Sequence, residues 1–137
     1  KKQYAKRELL FPQTNLLPEI ELKTLKAVQT IAGEKDPRFE TWFDALEYMH
    51  TEAMKIDFDV AIIGCGAYGF PLAAKLKQSG KKAIHMGGAT QYLFGIKSKR
   101  AEDNNPIISG LFNEAWTRPS DNERPKNFKK VEGGCYW

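Results

Sequence analysis

The sequence predicts an α/β fold, a partial parallel sheet with flanking helices, preceded by an N-terminal helical segment. Three observations carry that expectation. Residues 58–63, Phe-Asp-Val-Ala-Ile-Ile, form a short, mostly apolar, β-branched run ended by glycine, the composition of a parallel strand buried on both faces. Gly64, Gly66 and Gly69 follow in G-x-G-x-x-G spacing, and residues 70–79 read as a helix with Pro71 near its start and Gly80 just past its end. Lys82-Ala83-Ile84-His85-Met86 then supplies a second strand, which a right-handed crossover sets parallel to the first. Strand, glycine turn, helix and strand make a Rossmann-like βαβ unit.

Two helical patterns precede this unit. From Pro18, the residues Ile20, Leu22, Leu25, Val28, Ile31 and Ala32 recur at mostly helical spacing, with Gly33 in the position of a C′ residue, so a helix is predicted over 18–32. Asp36-Pro37 looks like an N-cap and first-turn pair, and Phe39, Trp42, Phe43, Leu46 and Met49 follow as a stripe on one face, which predicts a second helix over 37–55. The aromatic stripe reads as core rather than as a ring-stacking platform. His50, with no second His or Cys at ligand spacing, reads as structural rather than metal-binding. After the second strand, Leu111, Phe112 and Trp116 predict a last helix over 107–116. The remainder is a polar, proline-interrupted tail whose Tyr136-Trp137 end is expected to pin back to the body. The organisation predicted is one domain: a helical segment over 1–57, a nucleotide-binding-type core over 58–116 and a tail over 117–137.

Composition limits the functional classes. The 137 residues, 42% apolar and 28% charged, suit one ordinary globular domain. A net charge of +4 mildly favours anionic partners but lacks the dense Lys/Arg blocks of a nucleic-acid arm, so nucleotides, phosphosugars and acidic polymers are all compatible with it and nucleic acid is not expected. Cys65 and Cys135 form no C-x-x-C pair, which points to a reduced, cytoplasmic setting. No eighteen-residue apolar run predicts a membrane span. The opening KKQYAK lacks a methionine, and the chain is expected to be the C-terminal part of a longer protein.

The chemistry of the glycine turn follows from its geometry. Gly64 lets the chain turn sharply off the strand, Gly66 leaves no Cβ between backbone and ligand, and Gly69 lets the helix lie close. The first helical turn then presents free N–H groups and the positive end of the dipole, making Gly64, Gly66, Ala67, Tyr68 and Gly69 the candidate phosphate site. The alternative is a tight βα turn that binds nothing. NAD is not expected, because the acidic residue that takes the ribose hydroxyls about twenty residues on is replaced by His85-Met86-Gly87-Gly88. No G-K-[ST] ends the glycine run, so a Walker P-loop is excluded. Gly87, Gly88, Thr90 and Gln91 form a second glycine turn whose hydroxyl and amide suit sugar hydroxyls or a base edge, or simply a connection. His85 is either a core histidine or a contact to base or phosphate. Lys97, Lys99 and Arg100 are either a solvated basic loop or a diphosphate clamp.

The stretches DVAIIGCGAYGFPLAAKLKQSGKKAIHMGGATQYLFGIKSKR, from Asp59 to Arg100, and KKVEGGCYW at the C-terminus resemble the C-terminal portion of a bacterial GT-D-like family connected with polysaccharides. That resemblance implies a Rossmann-like core and a nucleotide-sugar-dependent glycosyltransferase of surface-polysaccharide synthesis. Its donor would be a nucleotide sugar such as a UDP-sugar, and its partners other polysaccharide-assembly proteins. What carries over by position is the strand, the Gly64-x-Gly66-x-x-Gly69 turn and the Gly87-Gly88 turn. The family's acidic D-x-E type metal motif does not carry over. Asp57-Phe58-Asp59 has D-x-D spacing but stands at the amino end of its strand, and Glu102-Asp103 follows the basic loop without helical or strand context. The resemblance thus implies either a Mn or Mg ion held by ligands outside these residues or a non-catalytic structural or regulatory module.

Overall fold

The structure, a computed structural model, describes residues 1–137 and is mixed α/β, with six α-helices and one two-stranded parallel sheet. In chain order the elements are α1 (Arg7–Leu10), α2 (Trp42–Met54), β1 (Val60–Ile63), α3 (Gly69–Gln78), β2 (Lys82–His85), α4 (Ala89–Leu93), α5 (Lys99–Asn104) and α6 (Pro106–Ser109). The chain divides into two compact units. One comprises Lys23–Thr30 and Lys35–Thr90; the other comprises Lys1–Leu22, Ile31–Glu34 and Gln91–Trp137.

The first unit holds the sheet. β1 and β2 pair in parallel with Val60 opposite Lys82 and Ile63 opposite His85, as the strand–turn–helix–strand pattern predicts. Helices α2 and α3 cover one face only. Ile63 is buried there with Leu72 and Leu76 of α3, Ala45, Leu46, Met49 and Ala53 of α2, Val28 and Tyr68. The side chains that alternate to the other face stay open, with Val60 44%, Ile62 40% and Ile84 53% exposed. The expectation of a strand buried on both faces is therefore corrected. An apolar run is compatible with one covered face or two, and α2 and α3 of this unit both lie on the first.

Helix α2 starts later than the predicted residue 37. The Asp36 carboxylate accepts from the Arg38 N–H at 3.1 Å and from its guanidinium at 2.9 and 2.7 Å, but in a turn that does not continue as helix. The cap is Thr41: its hydroxyl accepts from Asp44 N–H at 3.2 Å, and the Asp44 carboxylate accepts from Thr41 N–H at 2.8 Å. This reciprocal capping box satisfies two N–H groups that the helix itself cannot. Trp42 and Phe43 point about 100° apart on the helix, and only Trp42 lies toward the core. Trp42 stacks on Tyr68 with centroids 4.7 Å apart, and Phe43 remains 72% exposed. His50 hydrogen-bonds Ser79 across 3.0 Å, consistent with its structural assignment.

Residues 18–32 do not form the predicted helix. They run without helical structure apart from a 3-10 turn at Ile31–Gly33, in which Ala32 has φ +55°. The segment satisfies its polar groups through distant side chains: Ile20 N–H donates to the Tyr4 hydroxyl at 2.7 Å, and Val28 N–H to Met49 Sδ at 3.4 Å. Of the apolar residues in the pattern only Val28 is buried, while Ile20 and Leu25 are exposed, so no continuous apolar stripe rewards a helix there.

The second unit is built on Leu10, Leu17 and Trp116, with Phe11, Phe94 and Phe112 packed around them. Trp116 Nε1 donates to Leu10 O at 3.1 Å, and Gln3 Nε2 donates to Gly95 O and Ala115 O. Gly95 has φ +64°, and a Cβ there would lie 2.4 Å from Leu10 Cδ2. The predicted helix over 107–116 shrinks to α6. Asn105 caps it by accepting from Ile108 N–H at 3.1 Å, Gly110 follows its end, and the Asn113 side chain bends the next residues by accepting from Ala115 N–H at 2.9 Å. The basic stretch is not a loop. Ser98 is the N-cap of α5, which places Lys99 and Arg100 in a helical first turn and gives Glu102, paired with Arg118, the helical context it lacked on paper. The tail returns to the body, with Arg100 N–H donating to Cys135 O at 2.8 Å and Gln91 Nε2 to Tyr136 O at 3.0 Å.

Thr41→Ala removes one half of the capping box and is expected to cost about 1 kcal/mol in chemical denaturation. A helix starting at residue 37 would make the same substitution nearly neutral. The Thr41 contacts hold the Asp44 carboxyl below its ordinary pKa of 3.8. A depressed folded pKa contributes stability above the unfolded pKa that is lost as pH falls through the folded one. The difference between wild type and Thr41→Ala should accordingly shrink when the pH is taken well below 3.8.

Candidate functional site

The chain leaves β1 at Ile63 and enters a 3-10 turn, Gly66–Tyr68, that continues directly into α3, with Gly69 N–H bonded to Gly66 O. Cys65 occupies the N-cap position but makes no side-chain cap hydrogen bond. A helical run begun in this way leaves its first N–H groups without intrahelical acceptors. Here those groups belong to Gly66, Ala67 and Tyr68, and Gly66 and Ala67 are exposed. The aligned peptides behind them put the positive end of a helix dipole at this point.

The three glycines are required for three different reasons. A Cβ on Gly64 would lie 2.5 Å from Thr90 Oγ1 and 2.8 Å from Gly87 O. One on Gly69 would lie 2.2 Å from Cε1 of His85. At Gly66 nothing stands within 4 Å, and what demands glycine is φ +57°. The outer glycines are thus packing positions, Gly69 for His85 at the end of β2 and Gly64 for the segment that follows it, and the middle one is a backbone position with open space where a Cβ would point. Together these contacts bring His85, Gly87 and Thr90 against the 64–69 turn.

Other candidates have different surroundings. The Tyr68 side chain belongs to the core, its hydroxyl 2.9 Å from Thr30 Oγ1, so that only its main chain is available to a ligand. Thr90 Oγ1 is buried without a hydrogen-bond partner. His85 is exposed and its side chain makes no hydrogen bond, its ring lying over Gly69; Gly88 is exposed. Gln91, Lys97, Lys99 and Arg100 lie in the other unit. There the Gln91 amide is engaged by the tail, Lys97 Nζ stands 5.7 Å from the centroid of Phe112, and the Arg100 guanidinium is taken by Glu132 and Tyr136. Lys99 is exposed. The Thr30 partner of Tyr68 had no signal in the sequence, since it stands 38 residues away in an irregular segment.

Burial pushes the Cys65 thiol pKa up, which keeps it protonated and a poor nucleophile. Asp57 and Asp59 precede Val60 at the amino end of β1, the end away from the turn. No three His, Cys, Asp or Glu side chains assemble anywhere in the chain with the geometry of a metal centre. These residues therefore offer no ligand set for a divalent ion, and the ligands that the GT-D resemblance implies would lie outside them. An open concavity of about 510 Å³ lies between Arg7 and Leu17, apart from any residue singled out by the sequence.

Gly64→Ala should destabilise the protein more than Gly69→Ala. The first meets a backbone carbonyl and a β-branched side chain, whereas the second meets only the ring of an exposed histidine that can swing away. Overpacking of this kind costs roughly 1–3 kcal/mol. His85→Ala should remove most of the Gly69→Ala penalty and none of the Gly64→Ala penalty, measured as a double-mutant cycle in denaturant.

No helix is long and apolar enough to cross a membrane. Compared with protein-family models, curated proteins and solved structures, the chain matches none of them.

Proposed function

We propose that the 64–69 turn seats the phosphates of a nucleotide sugar such as a UDP-sugar. The chain then supplies the Rossmann-like nucleotide-binding part of a GT-D-like glycosyltransferase in surface-polysaccharide synthesis. The observation that carries this is the start of the helical run at Gly66, where Cys65 gives no side-chain cap, Gly66 and Ala67 are exposed, and nothing stands within 4 Å of where a Gly66 Cβ would lie. A phosphate there accepts hydrogen bonds from the backbone and gains roughly 0.3–1 kcal/mol from the dipole. His85, Gly87 and Thr90 stand beside the turn, where the ribose, base or sugar of such a ligand would extend. NAD fits poorly, since β2 ends in His85 and the residues after it carry no carboxylate to accept ribose hydroxyls.

A non-catalytic structural or regulatory module is the second reading. It is favoured by the placement of Asp57 and Asp59 at the amino end of β1, where neither can serve chemistry at the turn.

Calorimetric titration with UDP, UDP-glucose, GDP-mannose and NADH tests the proposal. Binding of a nucleoside-diphosphate ligand is expected and binding of NADH is not. Gly66→Val should abolish that binding while costing only about 1–2 kcal/mol of stability, the cost of a side chain in the left-handed region where no neighbour obstructs it. Tight NADH binding with no response to the other three ligands would overturn the nucleotide-sugar assignment. Binding without any sugar transfer or donor hydrolysis would select the module.

A further inference from the structure

The C-terminal segment is held in a backbone conformation that it does not favour by itself. Glu132, Gly133 and Gly134 have φ of +47°, +67° and +81°, three successive residues in the left-handed region, the first of them carrying a Cβ. This turn delivers the Glu132 carboxylate to α5, where Oε2 lies 2.5 Å from Arg100 Nη2. Arg100 Nη1 meets the Tyr136 hydroxyl at 3.0 Å, the guanidinium lies 5.1 Å from the centroid of the Tyr136 ring, and the Arg100 N–H donates to Cys135 O. One arginine therefore gathers three residues of the tail.

The ion pair at the centre of this arrangement is wet, with the Arg100 and Glu132 side chains 45% and 58% exposed. A pair so open to water contributes little net stability and exchanges readily. Arginine's planar fork accepts a phosphate in the same geometry as a carboxylate, and the phosphate brings more charge. Lys99, next in the chain and exposed, adds a second cation. Release of Glu132 would also let its left-handed backbone relax, so the strained turn favours opening once the carboxylate is displaced.

We propose that residues 131–137 form a strap that occupies Arg100 with the protein's own carboxylate, and that a phosphate-bearing ligand opens the strap by competing for that guanidinium. The contact is autoinhibitory toward the anion and lies in a different unit from the glycine turn.

Hydrogen exchange of the full chain, followed on peptides covering 98–101 and 131–137, tests this directly. The amide of residue 100 reports closure, because its acceptor is Cys135 O. Arg100→Ala and Glu132→Gln should each raise exchange in both peptides about fivefold, the scale of an exposed ion pair. Inorganic pyrophosphate should raise wild-type exchange above sodium chloride at equal ionic strength, and should change nothing further in Arg100→Ala. Should Arg100→Ala fail to fold by circular dichroism, Glu132→Gln carries the test alone. Wild-type exchange rates in Glu132→Gln, or equal effects of pyrophosphate and chloride, would overturn the proposal. Gly66→Val should leave the response intact, which keeps it separable from nucleotide binding at the turn.

Discussion

The close approach of the end of β2 and the segment after it to the glycine turn is the constraint on which the sheet unit depends. Met86 N–H donates to Ile63 O at 2.9 Å, extending the parallel pairing one residue beyond β2. That register places His85 over Gly69 and Thr90 against Gly64, leaving no room for a Cβ at either glycine. A residue slip would turn every side chain of β2 to the opposite face and take His85 off Gly69. The same contacts leave Gly66 outside the packed region, which frees its backbone for a ligand.

This division explains why the strand–turn–helix–strand frame of the candidate site was legible in outline and the surroundings were not. Glycine spacing, an apolar run and a helix-stop glycine are local signals, and the strand–turn–helix–strand order follows from them without knowledge of distant residues. Whether one face of the sheet or both are covered is decided by where α2 and α3 lie, and the exposed Val60, Ile62 and Ile84 carry the same β-branched signature as buried ones. The start of α2 was present in the sequence as Thr41-x-x-Asp44, a stronger marker than Asp36-Pro37 because both halves of the box satisfy a backbone donor. Asp36 accepts one backbone N–H, that of Arg38, but closes only a local turn, with no reciprocal bond back to its own N–H.

The segment 18–32 shows the limit of periodicity. Its apolar residues follow helical spacing, yet a short isolated helix is marginal in water and needs a packed face to hold it. Tyr4 and Met49 instead offer hydrogen bonds to backbone groups of an irregular chain, and these partners are 16 and 21 residues away in sequence. The fates of Tyr68 and Arg100 turn on long-range partners of the same kind, Thr30 and the C-terminal turn. A tyrosine in a glycine-rich loop and an arginine in a basic run look like ligand contacts until their partners are known.

The two anion-related features of the chain rest on different physics. At the glycine turn the donors are neutral amides and a helix dipole, with directionality and short range, and no cation is needed to hold a phosphate that approaches within hydrogen-bond distance. At Arg100 the attraction is charge on charge across a water-exposed surface, where added salt competes directly. The first is preorganised, because Gly66 already has its left-handed conformation and Gly64 and Gly69 are fixed by packing. The second is already satisfied by Glu132, so any anion must first displace a carboxylate held at high effective concentration by its own chain. A neutral, preorganised seat of the kind proposed would set the geometry of what binds, while an occupied cation raises the apparent dissociation constant of any competing anion in proportion to its occupancy.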